Sequence, residues 1–364
     1  MSKILSVAEA HPPHVINQEQ AIHFARGMFQ HAYKNIDRLL EAFQNGQIEK
    51  RHFVKDLEWY KEKRTFSEKN NEFIHAAVEL GSQAITNCLT NPDFLKKDIP
   101  YHEIDMIITI CTTGLATPSI EARIMNQLPF SPHTKRVPIW GLGCAGGASG
   151  LARAHEYCMA YPEAKVLVLT IELCSLTFQP NDLSKSNLIG TSLFADGVAC
   201  ALVVGEQVCL DEFCKMAVLP EIVGVQTTLM EDSLDVMGWE VKNEGLYVVF
   251  SKSIPNIVQK WLRPNIDSFL QKYDLDLHKI EHFVAHPGGR KVLEAYEEAL
   301  SFDQSKTAVS REVLKEFGNM SSATVLYVLN RIMNRDTQRN QWGIGTALGP
   351  GFSSELLLLK WVEV

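Results

Sequence analysis

From Ile104 to Cys174 the chain alternates short apolar runs with stretches of helical periodicity, and that alternation limits the folds open to it more than any other feature. Ile104 to Cys111, Val137 to Gly143 and Lys165 to Cys174 read as strands; Pro118 to Leu128 and the stretch after Cys144 read as helices. Strands and helices in this succession form parallel β-α-β units with right-handed crossovers. The ninety residues ahead of them read as helical: an amphipathic stretch from Gln18 to Phe43, a break at Asn45-Gly46, and a second helix around Glu72 to Cys88.

The two halves of the chain echo each other. Phe194 to Val204 reads as a glycine-interrupted strand pair closing the first half, and Gly345 to Gly351 followed by Glu355 to Trp361 closes the second in the same way. The strand-turn-helix around Cys144 is matched by Phe283 to Gly289 leading into a helix over Lys291 to Leu300. Such self-similarity points to a duplicated α/β module. The boundary is expected near residues 205 to 220, giving halves of 1–210 and 211–364.

Composition narrows the function. At 364 residues the chain can bury a large core, and its net charge of −8 argues against general nucleic-acid affinity. Any anionic ligand must therefore be held by a local basic patch. The eight cysteines show no CxxC pair, and Cys111, Cys174 and Cys200 sit in apolar runs, as in a reduced, cytoplasmic protein. No signal-peptide core follows Met1, and the longest apolar runs, Val166 to Ile171 and Leu356 to Leu359, are too short to span a bilayer. There is no metal-ligand spacing, no phosphate-binding loop and no complete dinucleotide fingerprint, so no cofactor is expected.

Cys144 stands in Gly141-Leu142-Gly143-Cys144-Ala145-Gly146-Gly147, between a strand and a helix. Small flanking residues let the chain turn tightly and let a substrate approach the sulfur. A thiol at a helix N-terminus faces free N–H groups, so its pKa is expected to fall. His286 ends an apolar strand ahead of Pro287-Gly288-Gly289, which bring backbone close to a site, although a single histidine is more often structural. Asn319, in Gly318-Asn319-Met320-Ser321-Ser322, precedes a helix running to about Asn330; an N-cap is its ordinary use there.

Together these segments, with Gly349-Pro350-Gly351, make the whole chain resemble the type III polyketide synthases, the family of chalcone and stilbene synthases. The resemblance implies a thiolase-like fold with a duplicated αβαβα five-layered core, a homodimer, and a site at the base of a pantetheine tunnel. It implies catalytic roles for Cys144, His286 and Asn319. A narrower similarity to bacterial long-chain alkylpyrone synthases rests on Ile36 to Leu40, Gly114 to Ser119 and Glu172 to Leu176.

The chemistry gives these residue types their reasons. A thiolate accepts the acyl group of an acyl-CoA starter. His286 would hold that thiolate as an ion pair and then donate to the thioester oxygen. Asn319 cannot titrate, so it cannot abstract a proton, but its amide can stabilise the enolate left when malonyl-CoA loses carbon dioxide. By resemblance, Phe194 stands between tunnel and cavity, and Val248, with Phe250 nearby, occupies the place of a second phenylalanine. Thr113, Thr117, Cys174 and Thr177 fall at pocket-lining positions, where small side chains leave room for an extended acyl chain. Ser321, Gly349, Pro350 and Gly351 are assigned to the same pocket. Arg38 matches one basic position used for CoA; Lys50, Arg51, Lys55, Arg290 and Lys291 are further candidates. A ketoacyl synthase III using acyl carrier protein, a Cys-His thioester hydrolase and a non-catalytic scaffold are the competing readings.

Overall fold

The computed structural model describes residues 1–30 and 33–364. The first half runs β1 (Ser2–Ala10), β2 (His14–Asn17), α1 (Gln18–Phe29), α2 (Ile36–Asn45), β3 (Lys50–Phe53), α3 (Phe66–Leu89), β4 (Met106–Ile110), α4 (Ile120–Ile124), β5 (Lys135–Ile139), α5 (Gly146–Ala160), β6 (Lys165–Leu173), α6 (Lys185–Leu193) and β7 (Asp196–Gly205). The second runs β8 (Val218–Leu229), β9 (Met237–Lys242), β10 (Gly245–Phe250), α7 (Ile254–Gln271), β11 (Ile280–Ala285), α8 (Arg290–Leu300), α9 (Gln304–Phe317), α10 (Thr324–Met333), β12 (Trp342–Gly349) and β13 (Ser353–Glu363).

One strand order, β11-β12-β13-β8-β1-β7-β6-β4-β5, joins the halves. Outward from its centre each half repeats one plan. β1 pairs antiparallel with β7, β7 antiparallel with β6, and β6 parallel with β4. Correspondingly, β8 pairs antiparallel with β13, β13 antiparallel with β12, and β12 parallel with β11. The halves meet at Ser2↔Ile222 and Lys3↔Glu221. Among the described strands of this sheet only β5, parallel to β4 at its edge, lacks a counterpart.

Helices α5 and α10 lie between the two half-sheets and touch each other; α3 covers β1, β6 and β7 from outside, while α7 and α8 cover the other side. This is the αβαβα layering. α10 is buried except at Asn330 and Arg331, as a central helix must be, whereas α8 buries only one face. β6 and β7 are covered on both sides, so they read as continuous apolar runs with no alternation.

Several elements differ from the sequence reading. The stretch Gln18 to Phe43 is two helices, the second begun by Asn35, whose side chain accepts from the Arg38 N–H; residues 31–32 within it lie outside the described residues. α3 starts at Phe66, six residues before Glu72, because Thr65 and Glu68 form a reciprocal capping box. The helix from Pro118 shrinks to Ile120–Ile124. Phe194 to Val204 holds one strand in place of two: a side chain at Gly197 would meet the Met320 sulfur at 2.2 Å, so this glycine admits a close neighbour and breaks nothing.

The internal echo also pairs differently. Cys144 and Asn319 occupy equivalent places: each stands at or just before a single 3-10 turn, Gly143–Ala145 or Ser321–Ala323, that leads into a central helix, α5 or α10. His286 follows β11, whose counterpart is β4, so its equivalent position is Cys111, just before Thr112-Thr113, and not the Cys144 turn.

Candidate functional site

Cys144 lies in a turn closed by its neighbours. Gly143 has φ of +48°, a conformation that favours glycine, and its N–H donates to Thr112 Oγ1 at 3.1 Å. A Cβ at Gly143 would come 2.8 Å from Pro350, and one at Gly349 would come 2.4 Å from the Leu142 carbonyl oxygen. The Gly349-Pro350-Gly351 loop therefore lies directly on the nucleophile's turn. A Cβ at Gly147 would stand 2.2 Å from the Ser322 carbonyl oxygen. That glycine serves the contact between the starts of α5 and α10; this, and not the substrate access expected from sequence, requires its small size.

The electrostatics reverse another expectation. Burial pushes the Cys144 thiol up to about 12, although hydrogen bonds from Ser321 and Asn319 pull the other way. Desolvation outweighs the helix N-terminus. His286 donates its backbone N–H to the Thr346 carbonyl at 2.9 Å, while its two ring nitrogens have no hydrogen-bond partner among the described residues. Burial pushes that imidazole down to about 3. Burial thus favours the neutral form of each group taken alone.

Asn319 is fixed at both ends of its amide. Oδ1 accepts from the Ser321 N–H at 2.8 Å, and Nδ2 donates to the Gly288 carbonyl at 3.0 Å, two residues beyond His286. Its other N–H faces the Cys144 sulfur, where a ligand oxygen can take it over. The ordinary N-cap reading fails, since α10 begins only at Thr324. The Asn319 backbone also bridges Phe194, its N–H reaching the Leu193 carbonyl and its carbonyl receiving the Ala195 N–H, both at 2.9 Å. The Phe194 ring stacks on Phe250 at 5.6 Å and faces Trp239 at 6.0 Å; Val248, from the same hairpin, is half-buried beside Gly190.

Behind this arrangement lies a group the sequence reading missed. Glu172 is fully buried and accepts from the Thr112 N–H at 3.1 Å, Thr113 Oγ1 at 3.0 Å and Ser322 Oγ at 2.5 Å. Burial pushes its carboxyl up to about 7 against those bonds. The signal was present: one carboxylate within the apolar run of β6 must be met by donors. Trp239 was also missed, since nothing in a solvent-edge hairpin marks it.

The remaining candidates divide. Cys174 and Thr177 are buried, Thr177 Oγ1 donating to the Cys174 carbonyl at 2.7 Å, and Thr113 joins them through the Leu173 N–H at 2.9 Å. Thr117, by contrast, is exposed, on the surface loop with Leu115, and does not line the same cavity. Arg38 is exposed on the first turn of α2. Arg51 is fully buried and cannot meet a phosphate. Lys55 pairs with Glu72 at 2.7 Å and Arg290 with Glu294 at 3.3 Å. A cleft between α7 and the α8–α9 connection contains none of the site residues. Among the described residues no helix is long and apolar enough to cross a membrane.

Comparison with known proteins agrees with this geometry. The descriptions "Chalcone and stilbene synthases, N-terminal domain" and "C-terminal domain" match residues 1–207 and 221–363. A Bacillus subtilis (strain 168) protein named "Putative chalcone synthase" is 53% identical over 99% of both chains. The 1,3,6,8-tetrahydroxynaphthalene synthase of Streptomyces peucetius is 31% identical over 99% of this chain and 93% of its own. The crystal structure of the corresponding synthase from Streptomyces coelicolor A3(2), a bacterial type III polyketide synthase, superposes with a TM-score of 0.89 at 27% identity over 100% of both chains. The chain belongs to the chalcone and stilbene synthase family, the type III polyketide synthases. It is an acyltransferase with the thiolase-like fold, and it condenses malonyl-CoA.

Proposed function

We propose that the enzyme primes Cys144 with a medium- or long-chain fatty acyl-CoA, extends it two or three times with malonyl-CoA and releases alkyl-α-pyrones. The observation that carries this reading is the convergence of Ser321 and Asn319 on the buried Cys144 sulfur, with Asn319 itself held by the backbone beyond His286. The Cys144 proton passes to His286, and the two charges created together offset the burial that penalises each alone. The thiolate attacks the acyl-CoA carbonyl, and CoA leaves as a thiol once it takes the imidazolium proton. Malonyl-CoA then loses carbon dioxide; the electron pair of the broken bond becomes an enolate whose oxygen receives the Cys144-facing N–H of Asn319 and a proton-bearing His286 nitrogen. That carbanion attacks the acyl carbon and expels the Cys144 thiolate. After the last cycle an enol oxygen closes on the thioester carbonyl, expelling CoA and leaving a pyrone; aldol closure to alkylresorcinols is the alternative outcome.

The starter assignment draws on the small side chains at Thr113, Cys174 and Thr177. Fatty acyl-CoA and malonyl-CoA are its substrates, with Arg38 as a candidate for the CoA phosphates. A homodimer belongs to the same reading. Its support is the edge position of β5 and the exposed Leu115 and Trp140; Thr117, exposed on the loop with Leu115, would then serve the pocket of a second copy. The chain is divided, in this account, into 1–210, carrying Cys144, and 211–364, carrying His286 and Asn319.

The test is mass spectrometry of products formed from malonyl-CoA with acyl-CoAs of graded length, beside a Cys144→Ala control. Triketide and tetraketide masses that grow with the starter and vanish in the control are expected. Free acids alone would identify a hydrolase, and turnover only with carrier-protein thioesters would identify a ketoacyl synthase III.

A further inference from the structure

Strand β3 carries a fully buried arginine, Arg51, with no carboxylate within ion-pair distance among the described residues. Its guanidinium donates to three neutral oxygens: the Thr191 carbonyl at 3.2 Å, the Ser192 carbonyl at 3.1 Å and Gln18 Oε1 at 2.8 Å. Nε has no partner, and the Phe43 ring lies 6.0 Å from the guanidinium carbon. A cation buried without an anion is expensive compared with an apolar side chain of the same size, so its retention asks for a reason beyond packing. Two of its acceptors are carbonyls at the C-terminal end of α6, where the helix dipole favours positive charge.

Those carbonyls immediately precede the Leu193–Ala195 segment, which holds Asn319. Leu193 accepts the Asn319 N–H, and Ala195 donates to the Asn319 carbonyl. On the far side of Phe194, the Val54 N–H donates to Asp196 Oδ2 at 2.9 Å, so the β3 segment grips the chain on both flanks of Phe194-Ala195. It also reaches the residue before Asn319 directly: a Cβ at Gly318 would lie 3.7 Å from Arg51 Cβ. The Glu49 N–H donates to the Lys315 carbonyl at 2.8 Å in the last turn of α9, the helix that Gly318 ends.

We propose that Arg51 is a positioning residue for decarboxylation, fixing the end of α6 so that Asn319 presents the amide N–H that faces Cys144 to the malonyl thioester oxygen. This rests on the reaction proposed above. The two half-reactions separate its effect. The turn that carries Cys144 is held by Thr112, Pro350 and the Ser322 segment, none of which touches Arg51, and its sulfur keeps the hydrogen bond from Ser321, whereas every backbone bond linking Asn319 to Leu193 and Ala195 hangs on the segment that Arg51 clamps. Loss of the clamp should therefore spare acyl transfer and slow carbon dioxide release.

The experiment uses the full-length enzyme and two variants, Arg51→Lys, which keeps the charge without the fork, and Gln18→Leu, which removes one acceptor. Acyl transfer from a fatty acyl-CoA to Cys144 is followed by intact mass, and carbon dioxide release from malonyl-CoA is measured separately. Arg51→Lys is expected to lower carbon dioxide release about tenfold or more while acyl transfer stays within about twofold. Gln18→Leu is expected to show the same skew at smaller amplitude, and it decides the matter if Arg51→Lys is not recovered folded. Equal losses in both steps, or no loss in either, overturn the proposal. A wild-type enzyme that neither takes up the acyl group nor releases carbon dioxide overturns the proposed function itself, and this proposal with it.

Discussion

The two halves share a strand order and a central helix approached through a 3-10 turn, yet the same place carries a nucleophile in one and an amide in the other. In the first half the turn brings Cys144; in the second it follows Asn319. The halves touch at this point, with Gly147 against the Ser322 carbonyl, so duplication of one module juxtaposes two different side chains in one site. The preceding loops differ as well. After β4, Thr112 and Thr113 bind Glu172 and stiffen the floor, while after β11 His286 is left with an unsatisfied ring. One half supplies a rigid scaffold and an attacking atom; the other supplies donors for negative charge.

This division can be broken most severely at the chemical groups. Cys144→Ala should abolish product, while His286→Ala should lower the rate of carbon–carbon bond formation by about 10²–10³-fold, measured as ketide formation at saturating substrate. A Cys144→Ala protein that still forms ketides would remove the first half's role.

The contact between halves comes next. Gly147→Ala forces a methyl group against backbone and should cost about 3 kcal/mol or more. Gly150→Ala, whose added Cβ meets only the flexible ends of Ile110 and Val168 at 2.7 Å, should cost roughly 1 kcal/mol. Equal denaturation midpoints for the two variants would contradict the helix contact.

A smaller effect sharpens the contrast in stiffness. Glu172 holds its proton to about pH 7 when folded but only to 4.5 when free, so the folded state binds the extra proton between those values. Stability should fall as pH rises through that window, by roughly 2–3 kcal/mol from this group. Glu172→Gln cannot titrate and should show the shallower decline between pH 5 and 8 in urea denaturation; identical slopes would place the carboxylate ionised throughout. The mildest change is at the pocket wall, where Cys174→Phe should shift the preferred starter to shorter chains while leaving acetyl transfer within about threefold.

Much of this was legible beforehand. Cys144, His286 and Asn319 stand out because turns, glycines and apolar flanks announce places where backbone must approach a ligand, whereas Phe194 rests on the family resemblance alone. The duplication was visible too, but its register was mistaken: Cys144 was matched to His286 because both follow an apolar run and precede glycines, whereas helix burial and strand pairing match it to Asn319. Pairing is a long-range property that local text does not carry. The thiol's pKa was mistaken for a related reason, since the helix N-terminus is local but the desolvation that overrides it comes from the whole fold. Arg51 reads as one of several surface cations in Lys50-Arg51-His52; only the packing of α6 over β3 shows it buried.

The most direct measurement is a single-turnover experiment with Asn319→Ala, following the mass of the protein and the release of carbon dioxide in parallel. The account predicts that the variant acquires the starter acyl group on Cys144 at close to the wild-type rate and then stalls, with carbon dioxide release down by about 10²-fold or more. A variant that fails to load the acyl group, or one that loads it and decarboxylates normally, would contradict the division of labour between the two halves.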